Sequence, residues 1–257
     1  METVAVRWNV ELETWLVLPL VDDSINQQGT HSWLAFDEWA SQQDDSIRLR
    51  FVIQGENYVC RWLTLPGVQG RHLAKALPFA LEETLIEDIR QYHLVTAGKK
   101  GKFTHRIYCT LSDQIHRLLE ACNLHHITPE ELIPETSLIT ENTIIHKDEF
   151  WLINIPGLTE AKVHEAALSG FLESLCNNLD SGSQQAITII DTSLDSANLL
   201  KTQIDSSFSG VFASVSVKQG EYSDLTHQSL KAKCFNLLTN EFRPAEVKVK
   251  KPSAWWK

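Results

Sequence analysis

Apolar and polar residues alternate near the start of the chain. Val4, Val6 and Trp8 fall on one side of an extended segment, and Trp15 and Val17 on one side of another. This predicts two strands of a hairpin or meander. A polar loop from Asp22 to Thr30 follows, and Ser32 is placed to cap a short helix with Trp33, Phe36 and Ala40 on one face. Ile47, Leu49, Phe51 and Ile53 then alternate with Arg48 and Arg50, the pattern of a half-buried strand. Gln54 to Asn57 reads as a turn, and Tyr58 to Leu65 as a strand closed by Pro66-Gly67.

The next stretch is helical in period. Leu73, Ala76, Leu77, Ala80, Leu81, Thr84 and Leu85 step at three-and-four spacing, which predicts one long helix. Pro78 lies inside it, and an interior proline removes a backbone hydrogen bond at a cost of roughly 3 kcal/mol, so a kink is expected there. Four carboxylates, Glu82, Glu83, Glu87 and Asp88, form an acidic stripe at its end. Tyr92 to Thr96 reads as a strand, Gly98-Lys99-Lys100-Gly101 as a hairpin loop, and Thr104 to Leu111 as the returning strand. Residues 58–111 thus spell strand, helix, strand, strand. A helix begins at Ser112 with Ile115, Leu118, Leu119 and Cys122 inward, residues 124–133 return to the first sheet, and 134–141 read as a linker.

The second half repeats this style. Thr143 to Ile145 and Phe150 to Ile155 predict paired strands, and Ala161 to Ala167 a third that leads into a helix with Phe171, Leu172, Leu175 and Leu179. Ala186 to Ile190 is a short buried strand, Leu194 to Ile204 a helix, Val211 to Val217 a strand and Ser223 to Lys233 a last helix. Two related α/β halves around a cleft would give this order.

Composition narrows the function. The 257 residues suffice for one large domain or two to three small ones, and 43% are hydrophobic, as in a soluble globular protein. No run reaches the roughly 18 apolar residues of a membrane span, and Met-Glu-Thr-Val is not expected to begin a signal peptide. Cys60, Cys109, Cys122, Cys176 and Cys234 are dispersed without a CxxC pair, which predicts reduced thiols and no zinc site. The net charge is −10, yet residues 243–257 carry five basic side chains against one acidic. Residues 1–242 are therefore strongly acidic, which excludes a general nucleic-acid binder.

Catalytic motifs are absent. An actin-like ATPase would place Asp-x-Gly between its first two strands, where glycine lets backbone approach phosphate. Here that stretch is Val10-Glu11-Leu12-Glu13, and its expected counterpart, Asn154-Ile155-Pro156-Gly157, also lacks it. There is no Walker A, G-x-G-x-x-G or G-x-S-x-G pattern. Asp191 and Asp195 are the sole weak hint of a two-metal nuclease, and they read more simply as a loop start and a first-turn helix residue. His125 and His126 are adjacent and have no ligand-spaced neighbour. No cofactor or metal is expected.

Two features remain, the acidic stripe and the tail. Lys248, Lys250, Lys251 and Lys257 with Trp255 and Trp256 suit the cytoplasmic edge of a bilayer, where lysines face the cytoplasm and indoles sit among headgroups.

Leu65-Pro66, Ala76-Leu77-Pro78-Phe79, Leu81-Glu82-Glu83 and His93 resemble the pattern of the general secretion pathway protein L family, the single-span inner-membrane L proteins of the type II secretion system. Phe235-Asn236-Leu237-Leu238-Thr239, ahead of the basic tryptophan-containing stretch, is similar to that family's junction with its membrane helix. The resemblance implies an α/β fold with mixed sheets, an actin-like, ribonuclease-H-like architecture of two subdomains that does not hydrolyse nucleotide. The first subdomain would be 1–57 plus 112–140, the second 141–240, with an inserted strand-helix-strand-strand subdomain at 58–111 and a juxtamembrane tail at 241–257. It further implies a non-enzymatic scaffold at the cytoplasmic face of the bacterial inner membrane, with a membrane helix beyond Lys257. Its implied partners are the N-terminal domain of the secretion ATPase, the inner-membrane M and F proteins, and a second copy in the full-length homodimer, but no nucleic acid. Glu82, Glu83, Glu87 and Asp88 would then offer the ATPase a negative patch. The alternatives are an actin-like scaffold of a type IV pilus machine and a metal-dependent ribonuclease-H-like nuclease.

Overall fold

The computed structural model describes residues 3–9, 14–18, 48–68, 70–124, 126–177, 185–208, 210–222 and 235–244. The helices expected at Ser32 and at Ser223 to Lys233 lie outside these residues, as do Leu179, Cys234 and the tail from Lys248 to Lys257.

Three sheets organise the described chain. In the first, β1 (Thr3–Asn9) pairs antiparallel with β2 (Thr14–Leu18) and parallel with β3 (Arg48–Ile53). Strand β7 (Pro129–Pro134) lies parallel on the far side of β3, so the order is β2-β1-β3-β7. The chain between β3 and β7 builds a separate antiparallel sheet. It runs through β4 (Tyr58–Thr64), α1 (Arg71–Leu81), β5 (Tyr92–Lys100) and β6 (Thr104–Leu111), in the order β4-β6-β5, and then α2 (Ser112–Leu124).

The second half follows with β8 (Thr143–Lys147), β9 (Phe150–Ile155), β10 (Thr159–His164), α3 (Glu165–Asn177), β11 (Gln185–Asp191), α4 (Leu194–Ser207) and β12 (Phe212–Gln219). Its sheet has the order β10-β9-β8-β11-β12. The first three strands form an antiparallel meander, and β11 and β12 run parallel to β8. This is the ribonuclease-H strand order. The first sheet repeats four of its five strands, with β2-β1-β3-β7 answering β9-β8-β11-β12 among the described residues. The fold is therefore mixed α/β in two like halves, with β4 to β6 inserted where the second half passes from β11 straight to α4.

Hydrophobic period explains the packing. The residues Trp151 to Ile155 of β9 are all buried, as a strand covered on both faces requires. Ile115, Leu118 and Cys122 step along one face of α2 into the first core with Val6, Phe51 and Leu132. Leu73, Leu77 and Leu81 of α1 pack on Ile107 and Cys109 of β6. Burial pushes the Cys109 and Cys122 thiols up to about 12, so both act as small apolar groups.

Three expectations change. The long helix ends at Leu81 rather than continuing through Leu85. Strand β5 runs on to Lys100, because Gly98 forms a bulge opposite β6 rather than a turn. The turn is Gly101–Phe103, with Gly101 at φ 65. Residues 134–141 are not a solvent-facing linker: Glu135, Thr136 and Leu138 are fully buried in a 3-10 turn.

Candidate docking face

The segment from Phe79 to Gln91 is shaped by one apolar spacing. Leu81, Leu85 and Ile89 recur every four residues and all return to the core beneath α1. The backbone between them is not one helix. Pro78 stands in the last turn of α1, and its carbonyl accepts the Glu82 N–H. The Thr84 hydroxyl donates to the Leu81 carbonyl at 2.8 Å, which satisfies one acceptor that the helix end leaves open. Glu82–Thr84 form a 3-10 turn, and Asp88 caps a second one, Ile89–Gln91, by accepting from the Arg90 N–H at 2.9 Å.

The four acidic residues of the sequence reading are all exposed here. They do not form a single helical stripe, because the helix stops first: Glu82 and Glu83 sit on the 3-10 turn, Glu87 and Asp88 beyond a bend. The Arg90 guanidinium donates to both oxygens of Asp88, at 2.9 and 2.6 Å. Those bonds hold the Asp88 carboxyl down at about 2, so it stays ionised. Among them stand two residues that periodicity did not single out. Phe79 is 80% and Ile86 97% exposed, although both are large and apolar. The signal was present at Ile86, which falls off the Leu81–Leu85–Ile89 spacing.

A second cluster lies where the sheets meet. Glu160 of β10 is buried and is paired with Arg106 of β6. It also accepts from the Tyr108 hydroxyl at 2.6 Å and the Thr136 hydroxyl at 3.0 Å. The Tyr58 hydroxyl, 2.6 Å from that of Thr136, completes a relay into the same carboxylate. Burial raises both tyrosine pKa values well above the ordinary phenol range, so each stays protonated and donates. Close by, Glu135 pairs with Lys147 of β8 and accepts from the Gly55 N–H at 3.1 Å, while Lys162 of β10 reaches Glu56 at 2.7 Å. Two 3-10 turns, Gly55–Asn57 and Glu135–Leu138, and two of the three sheets are thus joined by charged and hydroxyl side chains.

The turn joining the first two strands of the second half is Asp148-Glu149, not the stretch near Asn154 to Gly157, which joins β9 to β10. Two carboxylates stand where a phosphate-binding glycine would be needed. Asp191 accepts from the Ser193 N–H at 3.0 Å and faces His146 at 3.4 Å, and Asp195 lies in the first turn of α4. Burial works against its charge, but the Ser193 N–H and the neighbouring donors hold the Asp191 carboxyl below its ordinary value. Among the described residues no group of three or more His, Cys, Asp or Glu is arranged to hold a metal ion. No helix among them is long and apolar enough to cross a membrane.

The segment that begins at Phe235 returns to the first half. Leu237 N–H donates to the Leu132 carbonyl at 2.8 Å, and the Asn236 side-chain oxygen accepts from Leu132 N–H at 2.9 Å. Together they pin this segment to the edge strand β7. Leu237, Leu238 and Phe242 enter the first core, Phe235 stacks on Tyr108, and His93 Nε2 lies 2.9 Å from the Leu237 carbonyl.

A sequence model of the family described as type II secretion system (T2SS), protein L, matches residues 10–244. A comparison with curated sequences finds no match. Among solved structures the chain is similar to the cytoplasmic domain of EpsL, an inner-membrane component of the type II secretion system of Vibrio cholerae. The TM-score is 0.66 at 18% identity, over 94% of this chain and 100% of that one. It is also similar to a chain of the PilM-PilN type IV pilus biogenesis complex, with a TM-score of 0.47 at 10% identity over 86% and 85% of the two chains.

Proposed function

The chain belongs to the protein L family of the type II secretion system, and we propose that it is the cytoplasmic, non-catalytic part of an inner-membrane scaffold that recruits the system's ATPase. On this reading residues 58–111 form the docking subdomain, carried by halves at 1–57 plus 112–140 and 141–240. The tail residues Lys248, Lys250, Lys251, Trp255, Trp256 and Lys257 lead to the bilayer, and the M and F proteins are neighbours within the same platform.

The observation that carries the recruiting role is the segment Glu82 to Asp88, which offers four exposed carboxylates on a backbone pinned to a core. A basic partner would be steered to it and oriented by it, since charge at an interface acts mostly on encounter rate and specificity. The carboxylate pair at the Asp148-Glu149 turn also favours a scaffold over a nucleotide-driven machine. The family match sets the type IV pilus alternative aside.

The test is surface plasmon resonance against the purified N-terminal domain of the cognate secretion ATPase. Reversing Glu82, Glu83, Glu87 and Asp88 to lysine should slow association on the order of tenfold or more at low salt and flatten its salt dependence. Unchanged affinity and on-rate would remove these residues from the interface.

A further inference from the structure

The apolar contacts of the docking face have owners. Phe79 and Ile86 are 80% and 97% exposed, against 74% for Leu124 at the end of α2. A single exposed apolar side chain is ordinary on a protein surface. These two differ in three respects. They lie within eight residues of chain. Their backbone is held by the Leu81, Leu85 and Ile89 anchors beneath it and by the Thr84 and Asp88 hydrogen bonds, so little order remains to be gained on binding. Glu82, Glu83, Glu87 and Asp88, all exposed, lie between and beside them in the chain.

From the rises per residue of helix, 3-10 turn and extended chain, the two side chains leave the backbone at most about 16 Å apart. One patch of about 800 Å² covers both.

We infer that Phe79 and Ile86 are the paired apolar anchors of the docking face, and that the occupant is a protein surface with apolar pockets set in a ring of arginine and lysine. The inference rests on the recruiting role proposed above. Charge selects this occupant over a second copy of the chain. Residues 79–90 carry net −3, so the same face on a second molecule would oppose carboxylates with carboxylates. The carboxylates and the anchors then divide the labour: the carboxylates govern encounter, and the desolvated apolar pair governs residence.

The same resonance assay separates the two. In the full chain, Phe79→Ser with Ile86→Ser should raise the dissociation rate on the order of 30-fold or more and leave the association rate within about twofold. Leu124→Ser, the truncation of another largely exposed apolar side chain elsewhere, should change neither. No binding by the unaltered chain would defeat the recruiting role itself. Binding by the unaltered chain with an unchanged dissociation rate in the double variant would overturn the anchors alone. So would an equal loss in Leu124→Ser. Both substituted side chains are exposed, and thermal melting that matches the unaltered chain confirms that the variant folds.

Discussion

His93 shows how one side chain ties distant sequence together. It is buried in β5, and its ring N–H reaches the Leu237 carbonyl at 2.9 Å across 144 positions. Burial disfavours its charged form and lowers its pKa below the ordinary value of about 6.5. The folded chain therefore binds fewer protons than the unfolded chain just below that pH. The stability His93 contributes is fully present above about pH 6.5 and declines as pH falls through that value. Thermal melts from neutral to mildly acidic pH should show this decline, and His93→Gln, which keeps a donor to Leu237 but cannot be protonated, should flatten it. Such single residues divide into those that the sequence exposes and those that it hides. The exposure of Glu82, Glu83, Glu87 and Asp88 follows from their charge. The burial of Glu160 does not: in Thr-Glu-Ala-Lys-Val-His the polar positions alternate like a solvent face. Glu160 and Lys162 turn inward because Arg106 and Glu56 arrive from other elements to pair with them, while His164 stays exposed.

Helix α1 is the element where pattern and chain diverge. The three-and-four spacing continues past Leu81, so periodicity extends the helix to Leu85, yet the same spacing also serves a 3-10 turn and a bend that return Leu85 and Ile89 to one core. Pro78 decides between the two. It cannot donate to the carbonyl four residues earlier, and that weakens the last turn. Pro78→Ala should restore that bond, raise the helical signal in far-UV circular dichroism, and stabilise the fold by about 1–2 kcal/mol after the lost restriction of the unfolded chain is offset. Urea unfolding measures the change. The strand-helix-strand-strand order of residues 58–111 was legible because each element is short and strongly patterned. The end of β5 was not, since a glycine at a bulge and a glycine at a turn read alike.

At the scale of the molecule, side-chain pairs link one described sheet to another. The duplicated sheet order was legible only in style, because the halves share strand sequence order but no repeated letters. The bracing is the buried network of Arg106, Tyr108, Glu160, Thr136 and Tyr58, which fastens the inserted sheet to the second half. Glu160→Gln keeps the volume but leaves Arg106 with a neutral partner. Breaking a buried pair in this way should cost about 3–5 kcal/mol, read as a lower urea midpoint. Unchanged hydrogen exchange in β4 and β10 would show that the brace is not needed to hold the two together. The segment that ends on β7 has a consequence in time. Leu237, Leu238 and Phe242 belong to the same core as Val6. During synthesis the first half therefore waits, its core open on one side, until residues more than 200 positions later leave the ribosome. Contacts so far apart in sequence make for slow completion and a long exposure to chaperones, so the first core closes only after Phe242 has been made, whereas the docking face rests on a core drawn entirely from residues 59–109.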